Sequence, residues 1–227
     1  MAEATPMRSP AAPAPPGAGA THTNENLRRS IRRFRRNPLS MIGLTILLVL
    51  VIIAVLAPQI VPYPEDATGN MRAASRLEPP GAEFWFGTDN VGRDIFSRVL
   101  MGTGLALRVG IVIIVLASAI GVTVGALAGY FGGWVDDLLM RLTDIFLTVP
   151  ALVLAIAVTA ALGKGMINVM IGIALVWWPG FARLTRGQVI QVRELEFVRA
   201  TRALGASWPR LLMRHILPNI LSPIIVE

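Results

Sequence analysis

From Met41 to Ala57 the chain carries no charged side chain, and Thr45 is its one polar residue. Few environments accept such a run. About 20 predominantly apolar residues are what a helix needs to cross roughly 30 Å of hydrocarbon. In hydrocarbon the backbone must satisfy its own hydrogen bonds, which a helix does within one segment. Further apolar runs follow at Val109 to Leu127, Ile145 to Leu162, Met166 to Phe181 and Ile216 to Val226. The composition agrees: 54% of the 227 residues are hydrophobic and 15% charged, where a soluble domain carries about 25% charged residues. The expectation is an all-α fold, a polytopic transmembrane helical bundle.

The net charge of +7 raises nucleic acid or an anionic membrane surface as partners. The distribution of the charges argues against nucleic acid. Lys164 is the only Lys, and most Arg fall in two blocks, Arg28 to Arg36 and Arg183 to Arg214, each beside a long apolar run. Cytoplasmic segments of membrane proteins carry such an excess of basic residues. The N-terminus is therefore expected in the cytoplasm, with the lipid bilayer as the principal surrounding. The absence of Cys excludes disulfides and thiolate metal sites. His22 and His215, the two histidines, lie too far apart in sequence to suggest a His-built metal site.

Residues 1–26, rich in Ala, Pro, Gly and Thr without periodicity, read as a disordered tail. Residues 27–38 form a basic cytoplasmic segment and 39–61 the first transmembrane helix, closed by Pro58 and Pro62. Residues 62–102 form an extracytoplasmic loop with mixed charges, and 103–227 the remaining core. In that core Gly121, Gly125 and Gly129 recur at intervals of four, which suits close contact between membrane helices. Asp136, Asp137 and Arg141 suggest an amphipathic lead-in to span three with i,i+4 pairing. Pro150 is expected to kink span three near its start. Asp144 reads as a cap or interfacial charge, or as a pathway residue. Trp177 and Trp178, followed by Pro179 and Gly180, read as the end of span four at the membrane interface, with pore lining as the other reading.

The polar stretch 182–217 is the most informative. Phe197, Ala200, Thr201 and Leu204 fall at i, i+3, i+4, i+7 on one helical face, with Glu196, Arg199 and Arg202 as a polar stripe. Gly205 stands where a helix C-cap glycine belongs, and Ala206 leads to Ser207 as the cap of a second helix with Pro209 in its first turn. That second helix is expected to end at Pro218. Two short helices joined by Gly-Ala-Ser make an elbow. Spacing alone leaves two uses open: docking in a groove of a soluble motor, or resting on lipid headgroups.

Phe197 to Asn219, FVRATRALGASWPRLLMRHILPN, resembles the EAA loop of ABC importer permeases. Gly205 matches the family glycine and His215-Ile216-Leu217-Pro218 the family ending. Arg199 stands where the pattern has Glu, Ala200 matches, and Thr201 replaces the second Ala, which leaves open any ion pair made by that Glu. WFGTDNVGRDIFSRVLMG, Trp85 to Gly102, resembles the FGTD-x-x-GRD-x-x-SR segment of dipeptide, oligopeptide and nickel permeases of the C type. RRNPLSMIG, Arg35 to Gly43, and AGYFGGWVDDLLMRLTD, Ala128 to Asp144, fit the same family. The resemblance implies an ATPase-coupling segment at Glu196, Phe197, Arg199, Ala200, Thr201, Leu204, Gly205, Ala206 and Ser207. It also implies an extracytoplasmic motif at Gly87, Thr88, Asp89, Gly92, Arg93 and Asp94. The implied partners are a B-type permease subunit, two ATPase subunits and an extracytoplasmic solute-binding protein, at the cell inner membrane.

Chemistry by this chain itself is not expected. There is no Walker A loop, so ATP and Mg are expected in the partner ATPase and no cofactor on this chain. Ser97, Ser118 and Ser207 have no His partner in view, and the Asp89, Arg93 and Asp94 group reads as a salt-linked loop or a contact for the binding protein. The leading expectation is a permease subunit forming half of a pathway for peptides or a related small solute; no substrate-binding residue can be assigned. The rivals are a membrane-anchored docking scaffold without transport, and a secondary transporter or channel. Eleven residues from Ile216 to Val226 are too few to cross hydrocarbon, so the core is expected to be incomplete at its C-terminus.

Overall fold

The computed structural model describes residue 32 and residues 34–226. The tail at 1–26 and the basic residues Arg28, Arg29 and Arg33 lie outside the described residues. Among those described there is no β-strand, only an isolated antiparallel bridge between Thr88 and Asp94. Two units are present, one ending at Thr103 and one beginning at Gly104.

The first unit opens with helix α1, Pro38–Ile60. Asn37 caps it, its Oδ1 accepting from Leu39 N at 3.1 Å, and Pro38 occupies the first turn, where a missing N–H costs nothing. The helix runs through Pro58, which was expected to help close it, and stops at Val61 before Pro62. Apart from Ala57, α1 buries none of its side chains against the rest of the chain. A helix apolar on every side and left uncovered needs lipid as solvent. A loop with two 3₁₀ turns, Pro64–Ala67 and Ala73–Ser75, leads to α2, Ile95–Phe131.

The second unit holds the rest of α2 with α3, Gly133–Thr148; α4, Ala151–Leu162; α5, Met166–Arg193; α6, Glu196–Ala203; α7, Trp208–Leu211; and α8, Leu217–Val226. A five-residue π-helical turn, Leu212–Ile216, joins α7 to α8. The α2–α5 crossing forms the heart of this unit. A Cβ on Gly121 would lie 2.5 Å from Trp178 O, one on Gly125 2.2 Å from Ala182 O, and one on Gly129 2.8 Å from Arg186 O. Three glycines on one face of α2 thus let the α5 backbone approach as close as two helices can.

Several expectations change in three dimensions. Span three is a bent pair: α3 and α4 meet at 94°, not at a modest kink. Val149, before the proline, is pushed to extended ψ 131°, and Pro150 itself takes ψ 127° as the cap of α4. The helix of span four does not stop at Trp-Trp-Pro-Gly. The helix passes through Pro179, which is buried, and continues to Arg193; Trp178 is buried while Trp177 is exposed. The i,i+4 spacing of Asp137 and Arg141 gives no ion pair among the described residues; Asp136 pairs instead with Arg186 of α5. The second elbow helix does not end at Pro218. The π turn opens the backbone ahead of the proline, Leu217 N bonding Leu212 O, and α8 proceeds through Pro218. A π turn is one way to admit a ring that would otherwise strike the carbonyl four residues back. By length and composition α1, α2 and α5 can each cross a membrane, and the α3–α4 pair adds a fourth crossing if it acts as one span.

Candidate functional site

The elbow is built from its two ends inward. Helix α5 finishes at Arg193, Glu194 caps it, and Leu195 turns to extended φ/ψ to start α6. Helix α6 ends in a Schellman motif. Gly205 N donates to Arg202 O at 3.0 Å, Ala206 N donates to Thr201 O at 3.3 Å, and Gly205 itself sits at φ +84°. Ser207 takes the cap position of α7 through its backbone, Leu211 N bonding its carbonyl, while its hydroxyl makes no cap bond.

The elbow has an inner and an outer side. Val198 of α6 and Leu211 of α7 are fully buried in the core of the second unit, and Ala206 packs partly against it. Outward stand Phe197, Leu204 and Trp208, with Leu204 at 88% exposure, and Ala200 beside them. The face expected from spacing is therefore the free one, except that Thr201 is half-buried with its hydroxyl bonded to Phe197 O. Arg199, in the position of the family Glu, reaches back to Glu194 at 2.7 Å. The guanidinium of Arg199, then that of Arg193, holds the Glu194 carboxyl below its ordinary range. Glu196 makes no ion pair among the described residues.

Residues that the local pattern did not single out, together with Arg202 of the polar stripe, complete the site. Arg193 Nη1 donates to Gly129 O at 2.6 Å and to Tyr130 O at 3.2 Å. Arg202 lies over the Tyr130 ring at 5.4 Å, and the Phe131 and Trp208 rings are 5.3 Å apart. Val198 is separated from the exposed face by a single helical step, and the Arg193 contacts span more than sixty positions. A sequence window carries no sign of such pairing.

The FGTD-x-x-GRD segment belongs to the first unit, and there its residues hold the loop together. Asp89 Oδ1 accepts from Val91 N and Arg93 N, each at 3.0 Å, while Oδ2 meets the guanidinium of Arg93 at 2.9 Å and that of Arg98. Burial alone would raise the Asp89 pKa. The backbone N–H groups of Arg93 and Val91 and the Arg93 guanidinium outweigh it and hold the carboxyl at about 2. Asp94 is buried and caps α2, accepting from Ser97 N at 2.8 Å, and its own N–H reaches Asp66 Oδ2. Thr88 Oγ1 bridges Glu78 N and Ser75 O. Gly87 and Gly92 have φ of +72° and +81°, and a Cβ on Gly92 would lie 1.8 Å from Arg72 O. Each of the six residues thus has a structural task in the loop or its junction with α2.

Residues 121–227 match the family described as binding-protein-dependent transport system inner membrane component. Residues 26–80 match the N-terminal TM domain of oligopeptide transport permease C. The dipeptide transport system permease protein DppC of Alkalihalophilus pseudofirmus is 40% identical over 224 residues, covering 99% of this chain and 73% of that protein. This chain belongs to the binding-protein-dependent permease family. The oligopeptide transport system permease protein OppC of Bacillus subtilis is 39% identical over 194 residues, 86% of this chain and 63% of that protein. The glutathione transport system permease protein GsiD of Escherichia coli O157:H7 is 42% identical over 195 residues, 86% of this chain and 64% of that protein. The chain thus spans about two thirds of the length of these two relatives. An all-α multi-pass membrane fold is common ground between the family and the helices described above.

Proposed function

We propose that the chain acts as the C-type permease subunit of an ATP-driven, binding-protein-dependent importer for peptides or a related small solute. It contributes half of the translocation pathway, and a B-type permease contributes the other half. Two ATPase subunits holding ATP and Mg²⁺ sit at the cytoplasmic side, and a solute-binding protein delivers cargo from outside. The protein resides in the cell inner membrane with its N-terminus in the cytoplasm.

The outward face of the elbow carries this reading. Phe197, Leu204 and Trp208 stand exposed on two short helices whose inner residues, Val198 and Leu211, are fixed in the core. Exposed apolar side chains on a rigid support are what a docking element presents to a groove. Arg199, Arg202, Arg210 and Arg214 are exposed on the same segment against Glu194 and Glu196. The matching groove therefore has an apolar floor and an acidic rim. ATP binding in the partner favours one conformation of the assembly by differential contact with this elbow.

Cross-linking from Ala200→Cys tests the reading, because the chain has no Cys of its own and Ala200 is exposed. With thiol-reactive cross-linker in native membranes, the expected product joins the chain to an ATPase subunit, and its yield changes with ATP. Recovery of no ATPase adduct from membranes that carry out the uptake would refute the docking role.

A further inference from the structure

We infer that Arg193 is a positioning residue that fastens the elbow to the α2–α3 corner, so that displacement of the elbow is delivered to α2 as well as to α5 and α8. The inference rests on the elbow being the docking element proposed above.

Helix α2 stops at Phe131 because Gly132 turns to φ +66°. A helix end leaves its last carbonyls without intrahelical donors. Ala128 O accepts from Gly132 N at 3.0 Å. Gly129 O and Tyr130 O are both taken by Arg193 Nη1, whose positive charge also suits the negative end of the helix dipole. A Cβ on Gly132 would already lie 3.4 Å from that nitrogen.

The same guanidinium faces the elbow. Its Nε meets Glu194 at 3.2 Å, and Glu194 holds Arg199 of α6. Alongside, Arg202 of α6 covers Tyr130 and Trp208 of α7 meets Phe131. Consecutive corner residues, Gly129 to Phe131, are thus gripped from the end of α5, from α6 and from α7. The ring contacts tolerate sliding, whereas hydrogen bonds from a planar cation to two carbonyls fix position and direction. Arg193 is therefore the contact through which a push on the elbow becomes a movement of α2.

The test uses the assembled transporter in proteoliposomes. The readouts are solute taken up per ATP hydrolysed, and the distance between spin labels at Trp134→Cys and Ala203→Cys, both exposed positions outside the apolar docking residues. In the wild type the labelled pair keeps its separation when ATP is added, since corner and elbow move together. Arg193→Ala lowers the uptake-to-ATP ratio about tenfold, the scale of losing a charge-assisted hydrogen bond, and lets the separation change with nucleotide. Arg193→Lys keeps a charged donor and falls about threefold, and Tyr130→Leu, which removes a weaker cation–ring contact, falls by a similar factor. A ratio within twofold of wild type and a nucleotide-independent distance in Arg193→Ala overturn the inference. Should that variant fail to assemble, unchanged ratios in Arg193→Lys and Tyr130→Leu overturn it instead. If the wild-type chain recovers no ATPase, the docking reading itself falls, and this inference with it.

Discussion

A glycine-to-alanine change should have opposite effects at two places on α2. At Gly125 the new Cβ would lie 2.2 Å from Ala182 O and 2.9 Å from Thr185 Cβ, where ordinary contact begins at 3.4 Å. Relief requires α2 and α5 to separate by about 1 Å along that line, because Ala182 O is backbone and cannot rotate away. Overpacking of this kind costs roughly 1–3 kcal/mol. Alanine returns about 1 kcal/mol through helix propensity. The net effect at Gly125 is a loss of up to about 2 kcal/mol, with the lower limit near zero. At Gly110 nothing lies within 4 Å of the new Cβ, so the propensity gain of about 1 kcal/mol stands alone. The assay is thermal denaturation of the purified chain in detergent, followed by the emission of buried Trp178, whose carbonyl faces Gly121 on the same crossing. Gly125→Ala should unfold at a lower temperature than Gly110→Ala, and Gly110→Ala no lower than wild type. If Gly125→Ala proves as stable as Gly110→Ala, close approach at this crossing is not what the glycine supplies.

Other outcomes follow from particular residues. Asp89 sits at about 2 in the folded loop against an ordinary 3.8. Its contribution, about 2 kcal/mol, is therefore fully present above pH 4 and is lost as pH falls through about 2; exchange protection of the Val91 and Arg93 amides should fall over that window. Gly205→Pro removes the N–H that bonds Arg202 O and cannot adopt φ +84°, so solute uptake should be abolished while the chain still inserts into membranes. Normal uptake in that variant would count against the elbow as a transmitting element. A fluorophore on Leu204→Cys should escape quenching by lipids brominated along their acyl chains, and strong quenching would place the elbow in the bilayer instead.

Much of the helical layout was legible because hydrocarbon imposes a simple demand. The apolar run after Asn37 could become little other than α1, and its start follows from a capping Asn and a first-turn Pro. Gly205 was legible for a local reason: an amphipathic stretch stops there, and the turn that follows needs positive φ. Proline signals misled at two places. Pro58 and Pro218 read as stops, yet each lies inside a helix, as does Pro179 after the Trp pair. At Pro179 burial in the packed helix outweighs one forfeited hydrogen bond, and at Pro218 a π turn absorbs the ring. The ion pairs were illegible for a different reason. Asp137 had Arg141 one turn on, but the pair that forms joins Asp136 to Arg186, fifty positions on, at 2.5 Å, because the α2–α5 crossing and the Gly132 turn bring α3 beside α5. The Arg193 clamp shares that origin. Pairing across an α-helical bundle is set by crossings, and only the glycine spacing in α2 hinted at where a crossing would fall.

The length of α5 bears on which use of the elbow is physically open. From Met166 to Ala182 that helix has no charged residue, and Arg183 is its first. Arg183 pairs with Asp144 at 2.6 Å with both side chains more than half exposed, a geometry suited to the edge of the hydrocarbon and not to its interior. The ten residues from Arg183 to Arg193 then carry the helix about 15 Å further, or about 14 Å at an ordinary tilt near 20°. The headgroup layer on each side is only about 5–7 Å thick. Because the elbow starts directly after Arg193, it begins beyond the headgroups, and a helix resting on lipid would have to fold back toward the membrane to reach them. Val198 and Leu211 oppose such a return, since both are buried in the protein core, and Arg193 holds the turn against the end of α2. On the reading proposed above, Phe197 and Leu204 then face water on the far side of the headgroup layer, where exposed apolar side chains suit a protein partner better than a bilayer.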